Sequence, residues 1–528
     1  MITGKNYIGN SLSNLGSKTF STYNPILSIE NEWTFFEASD SEVNTAIALA
    51  KEAYETYRNI SRDKKADFLN QIANEIEALG DELIKVYCKE TGLPEGRAKG
   101  ERGRTMGQLR SFAMLVKEGS WVQAIIDTPL PNRIPIPKPD LRKMMSPLGP
   151  VAVFGASNFP LAYSTAGGDT ASALASGCPV IVKSHPMHAG TGELVASAII
   201  NAAEKIGMPN GVFSNLNSSG IEVGEKLVQH PNIKAVGFTG SIKGGRALFN
   251  MAALREEPIP VFAEMGSVNP VIFLPKALEL KTKEWAKMYA GSITLGAGQF
   301  CTNPGLLFGI KSKELTTFIE ELAQEILKVE SFCMLNPAIK NNYSANKSFI
   351  QEQNGVSIVA KEDERKDNFA NQVVATVSGN EFITNKSLHR EVFGPFSMVV
   401  QCENIAELEK AIASLEGQLT GTIISEENEI QNYSGAVDAL QEKVGRLIFN
   451  SVPTGVEVCP AMQHGGPYPA STDSRFGAVG TNAINRWVRP ISYQSWPNDL
   501  LPIELMDENP LQIHRIVNGI SSKNNIER

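Results

Sequence analysis

The sequence lacks several features that would point to particular classes of protein. Its six cysteines contain no C-x-x-C pair and are spread over nearly the whole chain, which argues against a disulfide framework or a zinc ribbon. With a formal net charge of −8 and no long basic run, it offers no nucleic-acid-binding surface. It has neither an apolar stretch of membrane-spanning length nor, in MITGKNYIGN, a signal-peptide core. These absences favour a cytoplasmic protein that acts on small molecules without a membrane or nucleic-acid partner.

What the sequence does contain begins with helical patterns near the N-terminus. A chain of 528 residues exceeds what one hydrophobic core usually serves, so we expect two large domains with smaller additions. Residues 41–60 carry apolar side chains at three- and four-residue spacing and predict a helix, with Ser41 as its N-cap. A second helical pattern covers residues 65–91.

From residue 150 onward, short apolar runs alternate with helical patterns. Such alternation predicts parallel sheets with helices on both faces, whose ligands lie at the carboxyl ends of the strands. A second domain of this type is expected from about residue 267 to 480. The predicted strands of the first domain are PVAVFGAS, CPVIVKSH, GVFSNLN, IKAVGFTGS and IPVFAEMGS, and those of the second are NPVIFLP, GLLFGI, FSMVVQ, GTIIS and GRLIFNS.

The stretch GAGQFCTNPG places Cys301 after two glycines and before an Asn-Pro break. A G-x-G-x-x-G dinucleotide loop would need glycine at position 301, so that interpretation is weak. Two interpretations are left, a structural turn that holds a small buried cysteine and the loop of a catalytic thiol.

Four other stretches carry polar residues at predicted strand ends or in loops. Taken singly, each has an ordinary structural explanation, because an asparagine often caps a turn and a carboxylate is usually solvated. The stretches are GASNFP with Asn158, FTGSIKGG with Ser241, FAEMGS with Glu264 and EVFGPF with Glu391.

The order of these five stretches resembles the aldehyde dehydrogenase superfamily. Within it, ETGLPEGRAKGERGRTMGQLR, KSHPMHAGTGE, HGGPYPASTDS and RPISYQSWPNDLLP are similar to 2,5-dioxovalerate (α-ketoglutaric semialdehyde) dehydrogenases and NADP-linked fatty-aldehyde dehydrogenases. The resemblance implies an α/β fold with two Rossmann-like parallel-sheet domains and a small oligomerisation ribbon that joins a homodimer or homotetramer. It places the cofactor-binding domain at 1–127 and 147–265, the catalytic domain at 266–482, the ribbon at 128–146 and 483–500, and a C-terminal extension at 501–528.

The same resemblance implies a catalytic role for three residues. Cys301 would be the nucleophile that attacks the aldehyde and forms first a thiohemiacetal and then a thioester. The Asn158 amide and the backbone N–H of Cys301 would stabilise the oxyanion. Glu264 would be the general base that activates water for thioester hydrolysis. No bound metal is predicted.

The cofactor-binding residues are also implied by the resemblance. The pyrophosphate would lie at the helix that begins at Gly240 and Ser241. Many NAD-linked relatives read Lys-Pro-Ser-Glu where this chain reads KSHP, so Pro186 replaces an acidic residue that would bind a ribose 2′-hydroxyl. We therefore predict a preference for NADP, with NAD as the alternative cofactor. The implied cofactor residues are Lys183, Ser184, His185, Gly240, Ser241, Gly245, Glu391 and Phe393.

The substrate is expected to be 2,5-dioxopentanoate, which carries a carboxylate. The pattern ERGRTMGQLR predicts a helix whose Arg102, Arg104 or Arg110 could pair with that carboxylate, although a solvated basic face is an equally simple explanation. The sequence departs from the family pattern at Ser157 and at Gly266-Ser267, so the family's pocket shape does not carry over to this chain.

Several alternatives have to be weighed against this one. They are a fatty-aldehyde dehydrogenase, an acylating enzyme that has no need of Glu264 as a base, and a non-catalytic protein on this fold. A cysteine hydrolase would need a histidine partner for Cys301, and the sequence indicates none among its six histidines.

Overall fold

A computed structural model of the chain describes residues 2–363 and 368–527. Among these residues, no helix combines the length and apolar character that crossing a membrane requires. The helices are α1 (Asp40–Tyr57), α2 (Arg62–Ala78), α3 (Gly80–Thr91), α4 (Glu95–Glu118), α5 (Gly168–Ser176), α6 (Ala189–Ile206), α7 (Glu222–Gln229), α8 (Ile242–Ala253), α9 (Pro275–Thr294), α10 (Lys313–Lys328), α11 (Pro337–Gln351), α12 (Gly379–Thr384), α13 (Ile405–Ala413) and α14 (Ser434–Gln441).

In the described part of the chain, the strands form two seven-stranded sheets, one five-stranded sheet and two small two-stranded sheets. They are β1 (Asn6–Ile8), β2 (Ser11–Ser13), β3 (Thr19–Phe20), β4 (Tyr23–Asn24), β5 (Ile29–Glu30), β6 (Phe35–Phe36), β7 (Ile125–Asp127), β8 (Leu141–Pro147), β9 (Val151–Phe154), β10 (Val180–Lys183), β11 (Phe213–Leu216), β12 (Ala235–Thr239), β13 (Val261–Glu264), β14 (Val271–Phe273), β15 (Leu306–Ile310), β16 (Ser357–Lys361), β17 (Val373–Ser378), β18 (Phe396–Cys402), β19 (Gln418–Ile424), β20 (Val444–Phe449), β21 (Val488–Gln494), β22 (Arg515–Val517) and β23 (Ile520–Ser522).

The first large sheet has the order β13-β12-β9-β10-β11-β1-β2. The five runs predicted from the sequence form its parallel strands β9 to β13. Helices α5 to α8 connect them and cover both faces, and every residue of β9 and β11 is buried, although only β9 is apolar throughout. The carboxyl ends of β9, β10, β12 and β13 therefore lie along one edge.

The second large sheet has the order β16-β17-β18-β15-β14-β19-β20. The five strands predicted for this half are β14, β15, β18, β19 and β20, and they pair in parallel. Strands β16 and β17 were not predicted. β16 is an antiparallel edge strand with a largely exposed sequence, so it lacks the apolar run by which the others were found.

The third sheet has the order β21-β8-β7-β22-β23. Its longest pairing is the antiparallel pairing of β8 with the edge strand β21 over seven residues. Arg142 on β8 forms buried ion pairs with Asp140 and Asp507. Strand β7 and the C-terminal strands β22 and β23 join the same sheet. The sequence analysis did not predict these additions, and its domain boundaries stay predictions.

The N-terminal helices differ in detail from the sequence-based expectation. Ser39, and not Ser41, caps α1, because Ser39 and Glu42 form a reciprocal capping box. The single helical pattern at 65–91 is divided into α2 and α3, since Gly80 has a positive φ of 56°. The predicted helix around ERGRTMGQLR is confirmed as part of α4.

Candidate active site

A cavity of about 300 Å³ lies between the carboxyl edge of the first sheet and the loops that precede β15 and β18. Its lining includes six of the residues that the sequence analysis selected, although they are widely separated in the sequence. These are Asn158, Gly240, Ser241, Cys301, Glu391 and Phe393.

The loop that carries Cys301 has an unusual backbone. Gly296, Ala297 and Gly298 all have positive φ values, of 56°, 56° and 66°. A Cβ at Gly298 would lie 2.2 Å from the carbonyl carbon of Gly394, so the loops before β15 and β18 touch through their backbones. This contact explains why glycine is required beside the cysteine.

Asn269, which the sequence analysis did not select, holds the Cys301 loop in place. Its side-chain Nδ2 donates hydrogen bonds of 2.8 Å to the Cys301 carbonyl and 2.9 Å to the Asn303 carbonyl. Asn269 is fully buried and has a positive φ of 46°, a conformation that asparagine tolerates better than most residues. A lone asparagine before a strand gives no signal of this role in one sequence.

The Cys301 thiol lies next to a histidine. Cys301 Sγ is 3.5 Å from His464 Nε2, and the same nitrogen is 3.0 Å from Glu264 Oε1. The expectation that Cys301 has no histidine partner is therefore wrong. His464 lies 163 residues further along the chain in the loop after β20, and its only sequence signal was its place in HGGPYPASTDS, which served to identify a branch and not a site.

Burial and nearby charge shape the acid-base properties of this group. Desolvation, together with the Glu264 carboxylate, raises the pKa of the Cys301 thiol well above its usual range. An isolated thiolate is thus unfavourable here, and the neighbouring His464 offers a place for the thiol proton.

Glu391 also lines this cavity and lies in the loop before β18. Burial raises the pKa of its carboxyl to about 7. A Cβ at Gly266 would lie 2.4 Å from Glu391 Oε2, so the absence of a side chain at Gly266 makes room for this carboxyl.

Asn158 follows β9 and lines the same cavity as Cys301. Its Nδ2 donates a hydrogen bond of 3.0 Å to the carbonyl of Gln299. This bond fixes the amide beside the Cys301 loop and leaves the second N–H of the amide for a ligand.

Gly240 and Ser241 form the turn between β12 and α8. The Ser241 Oγ accepts a hydrogen bond of 3.1 Å from the Gly244 backbone N–H and caps the helix. Gly245 lies further inside, where a Cβ would be 2.6 Å from Met265 Sδ. Gly245 therefore brings α8 close to β13, whereas Gly240 and Ser241 face the cavity.

Lys183, Ser184 and His185 follow one another at the end of β10, but their side chains differ in accessibility. Burial lowers the pKa of Lys183 to about 8. Ser184 Oγ is buried and would lie 3.3 Å from a Cβ at Gly192. The His185 ring stacks on His188 with 5.0 Å between centroids. Lys183 and His185 are partly exposed, whereas Ser184 is buried.

The three arginines selected from ERGRTMGQLR point in different directions. Arg104 Nη2 donates a hydrogen bond of 3.0 Å to the Tyr163 hydroxyl, beside the aromatic cluster that contains Phe300. Arg102 instead donates to the Gly80 carbonyl, and Arg110 pairs with a glutamate of α2. The structure therefore brings Arg104 to the site and directs the other two elsewhere.

The chain is similar to several known proteins. The family model described as "Aldehyde dehydrogenase family" matches residues 13–487 of this chain. Alpha-ketoglutaric semialdehyde dehydrogenase 2 of Azospirillum brasilense is 47% identical over 92% of this chain and 93% of its own. Alpha-ketoglutaric semialdehyde dehydrogenase of Acinetobacter baylyi is 43% identical over 99% of both chains. The structure of 1-pyrroline-5-carboxylate dehydrogenase from Thermus with bound NAD has the same fold, with a TM-score of 0.77, 20% identity and coverage of 93% and 92%.

Proposed function

Since the chain belongs to the aldehyde dehydrogenase family, we propose that it oxidises 2,5-dioxopentanoate to 2-oxoglutarate and prefers NADP as its cofactor. The observation that carries the proposal is the position of Arg104, whose Nη2 bonds to the Tyr163 hydroxyl beside the buried cluster that contains Phe159 and Phe300. The names of the two relatives, both alpha-ketoglutaric semialdehyde dehydrogenases, support the same substrate.

The nucleophilic step is assigned to Cys301. His464, 3.5 Å from Sγ, accepts the thiol proton, and Glu264 stabilises the imidazolium that results. The sulfur attacks the aldehyde carbon, and the oxyanion receives hydrogen bonds from the Asn158 amide and the Cys301 backbone N–H. The bound dinucleotide supplies the hydride acceptor for the oxidation.

The hydrolytic step is assigned to Glu264 and His464. Once Cys301 carries the acyl group, the His464 imidazolium releases to solvent the proton that it took from the thiol. Glu264 then takes a proton from water, the resulting hydroxide attacks the thioester carbon, and the proton on Glu264 passes to the sulfur as the thioester bond breaks. The carboxylic acid leaves, and the thiol is restored.

The residues around the cavity fit a dinucleotide. The free N–H groups at the start of α8 suit a pyrophosphate, and Gly240 and Ser241 allow its close approach. Glu391 and Phe393 would hold the nicotinamide ribose, and Lys183 the adenine ribose. Pro186 presents no charge to a 2′-phosphate, and His185 adds a nitrogen that could bind it, which supports NADP.

The cofactor preference can be measured directly. We expect kcat/KM for NADP to exceed that for NAD in the native enzyme, and Pro186→Glu to lower the NADP-to-NAD ratio by charge repulsion. A native preference for NAD would refute the inference. The native ratio is the stronger test, because replacing a proline also changes the local backbone.

Arg104 is the residue that we propose to bind the substrate carboxylate. Its guanidinium lies 5.1 Å from the Tyr163 ring centroid and 5.8 Å from that of Phe159. Its Nε is buried and has no hydrogen-bond partner. A carboxylate would provide that partner, whereas an uncharged aldehyde would leave the cation unpaired.

The test compares charged and neutral aldehydes in three proteins. For the wild type, we expect kcat/KM to be much higher for 2,5-dioxopentanoate than for hexanal or decanal. Arg104→Met should raise KM for the charged substrate about 10- to 100-fold, because a charged hydrogen bond is lost. KM for the neutral aldehydes should stay unchanged. Arg110→Met is the matched control, because Arg110 is exposed on the same helix and pairs with Glu77.

One set of results would contradict the proposed substrate. If decanal is the better substrate and Arg104→Met behaves like Arg110→Met, the apolar lining of the pocket determines specificity and the enzyme is a fatty-aldehyde dehydrogenase. The apolar side chains that would favour such a substrate belong to the buried cluster beside Arg104, which includes Phe159 and Phe300, with Val456, Val458 and Met462 packed against it.

The domain division and the assembly are further parts of the proposal. We propose that the segments 128–146 and 483–500, which meet in the third sheet, join subunits into a homodimer or homotetramer. Sedimentation equilibrium would give the subunit number, and a monomer would reject this role. A reducing compartment such as the cytoplasm suits the enzyme, because Cys301 must be a free thiol.

A further inference from the structure

Three side chains at the centre of the site form a possible ligand set for a metal ion. A sulfur, an imidazole nitrogen and a carboxylate oxygen, from Cys301, His464 and Glu264, all lie within 4.8 Å of one another. These are the ligand types that bind zinc in proteins.

Two of the three distances between the donor atoms are close to those of a tetrahedral site. With Zn–S of about 2.3 Å and Zn–N of about 2.0 Å, the sulfur and nitrogen of a tetrahedral zinc lie about 3.5 Å apart. The separation of Cys301 Sγ from His464 Nε2 is 3.5 Å. The His464 Nε2 to Glu264 Oε1 distance of 3.0 Å needs only a small outward movement to reach the corresponding value.

The electrostatics of the group also favour a cation. A Cys301 thiolate and the Glu264 carboxylate, whose donor atoms lie within 4.8 Å of one another, would place two negative charges side by side. The single His464 Nε2 faces both groups and can donate a proton to only one of them. Both Glu264 carboxylate oxygens are buried, and Oε1 faces His464. A divalent ion would neutralise both charges at once.

We propose that Cys301, His464 and Glu264 bind one Zn²⁺ when cofactor and aldehyde are absent, and that the ion holds the enzyme inactive. As the Zn–S bond forms, the Cys301 thiol releases its proton to solvent, and no oxidation or reduction occurs. The fourth position of the ion is filled by water. The ion is a reversible inhibitor and not a cofactor, and the inference does not depend on which aldehyde is the substrate.

Cobalt provides the direct test, because a Co²⁺–thiolate bond gives a charge-transfer absorption in the near ultraviolet. Reduced, chelator-treated enzyme titrated with Co²⁺ should develop this absorption with one equivalent per chain, and Zn²⁺ should abolish it. Cys301→Ala should show no such band, and His464→Phe should bind at least about 10-fold more weakly.

Matched controls identify the site. Cys88→Ser and His514→Phe remove another thiol and an exposed imidazole, and both should titrate like the wild type. In case His464→Phe fails to fold, wild-type enzyme alkylated at Cys301 with iodoacetamide should likewise lose the charge-transfer band. Zn²⁺ should also slow that alkylation in the unmodified enzyme.

Activity gives a second readout. Preincubation with Zn²⁺ should abolish turnover, a chelator should restore it, and prior addition of cofactor with aldehyde should protect, because acylated Cys301 cannot bind the ion. The proposal is overturned if the cobalt band does not appear, if it persists in Cys301→Ala, or if His464→Phe binds cobalt as tightly as the wild type. Failure of the catalytic assignments would instead show as turnover in metal-free Cys301→Ala.

Discussion

The two large sheets contribute to the site from opposite ends of their strands. In the first sheet the predicted residues follow the strands, with Asn158 after β9, Lys183 at the end of β10 and Glu264 at the end of β13. In the second sheet they precede the strands, with Cys301 before β15 and Glu391 before β18. One cavity is thus formed from carboxyl ends on one side and amino ends on the other.

This difference shows where a general rule about parallel sheets applies. Ligands of such sheets usually lie at the carboxyl ends of the strands, and the first sheet follows that rule. The second sheet instead places two tight loops at its amino ends, and these loops touch where Gly298 meets Gly394. The following predictions ask whether the chemistry is divided between the two ends in the same way.

The largest effect is expected at the amino ends of the second sheet. Cys301→Ala should lower kcat by at least about 10⁴-fold, because no covalent adduct can form. Cofactor binding, measured by fluorescence titration, should be unchanged. Cys88→Ser is the control, and substantial turnover in Cys301→Ala would move the nucleophile away from this loop.

The next largest effect is expected at the carboxyl end of β13. Glu264→Gln should lower the steady-state rate by about 10²- to 10⁴-fold, the usual contribution of a general base. Rapid mixing should still show a burst of reduced cofactor near one equivalent per site, because hydride transfer precedes thioester hydrolysis. Equal loss of burst and steady-state rate would leave Glu264 only its role beside His464 in the first step.

A smaller effect is expected at the end of β9. Asn158→Ala should cost roughly 3–4 kcal/mol in the chemical step, the value of one oxyanion donor. Single-turnover rates would measure it. An unchanged rate would mean that Asn158 serves only to bond the Gln299 carbonyl, and the oxyanion would then depend on the second sheet alone.

The smallest effect is one of stability, at the amino end of β18. The pKa of Glu391 is raised to about 7 in the folded protein, so the native state binds a proton that the unfolded state releases nearer pH 4.5. Stability should therefore fall as pH rises between these values and level off above about 7. Relative to wild type, Glu391→Gln should gain at most roughly 3 kcal/mol over this range.

Melting curves between pH 5 and 8.5 would measure this gain. The exposed Glu256→Gln is the control, and its melting temperature should follow the wild type at every pH. A Glu391→Gln curve parallel to the wild type would show that the Glu391 carboxyl is well solvated.

The sequence predicted the parts of this structure that depend on local patterns. The buried parallel strands were found from short apolar runs between helical patterns, and the helix around ERGRTMGQLR from the four-residue spacing of Arg104 and Gln108. Strand β16 was missed because it is exposed at an edge. Cys301 and Glu264 were selected by resemblance in short stretches, whereas His464 meets them only through folding over 163 residues. Three-dimensional proximity of this kind leaves no periodic signal in one chain.

The contact between Gly298 and Gly394 has a consequence for how such an enzyme can change. The Cys301 loop and the Glu391 loop touch through their backbones at Gly298 and Gly394, and the Asn303 side chain donates a hydrogen bond to the Gly394 carbonyl across the same boundary. Arg104 lies on α4, outside these two loops, so an exchange there leaves the contact intact. Selection at Arg104 can thus act separately from selection on the two glycines.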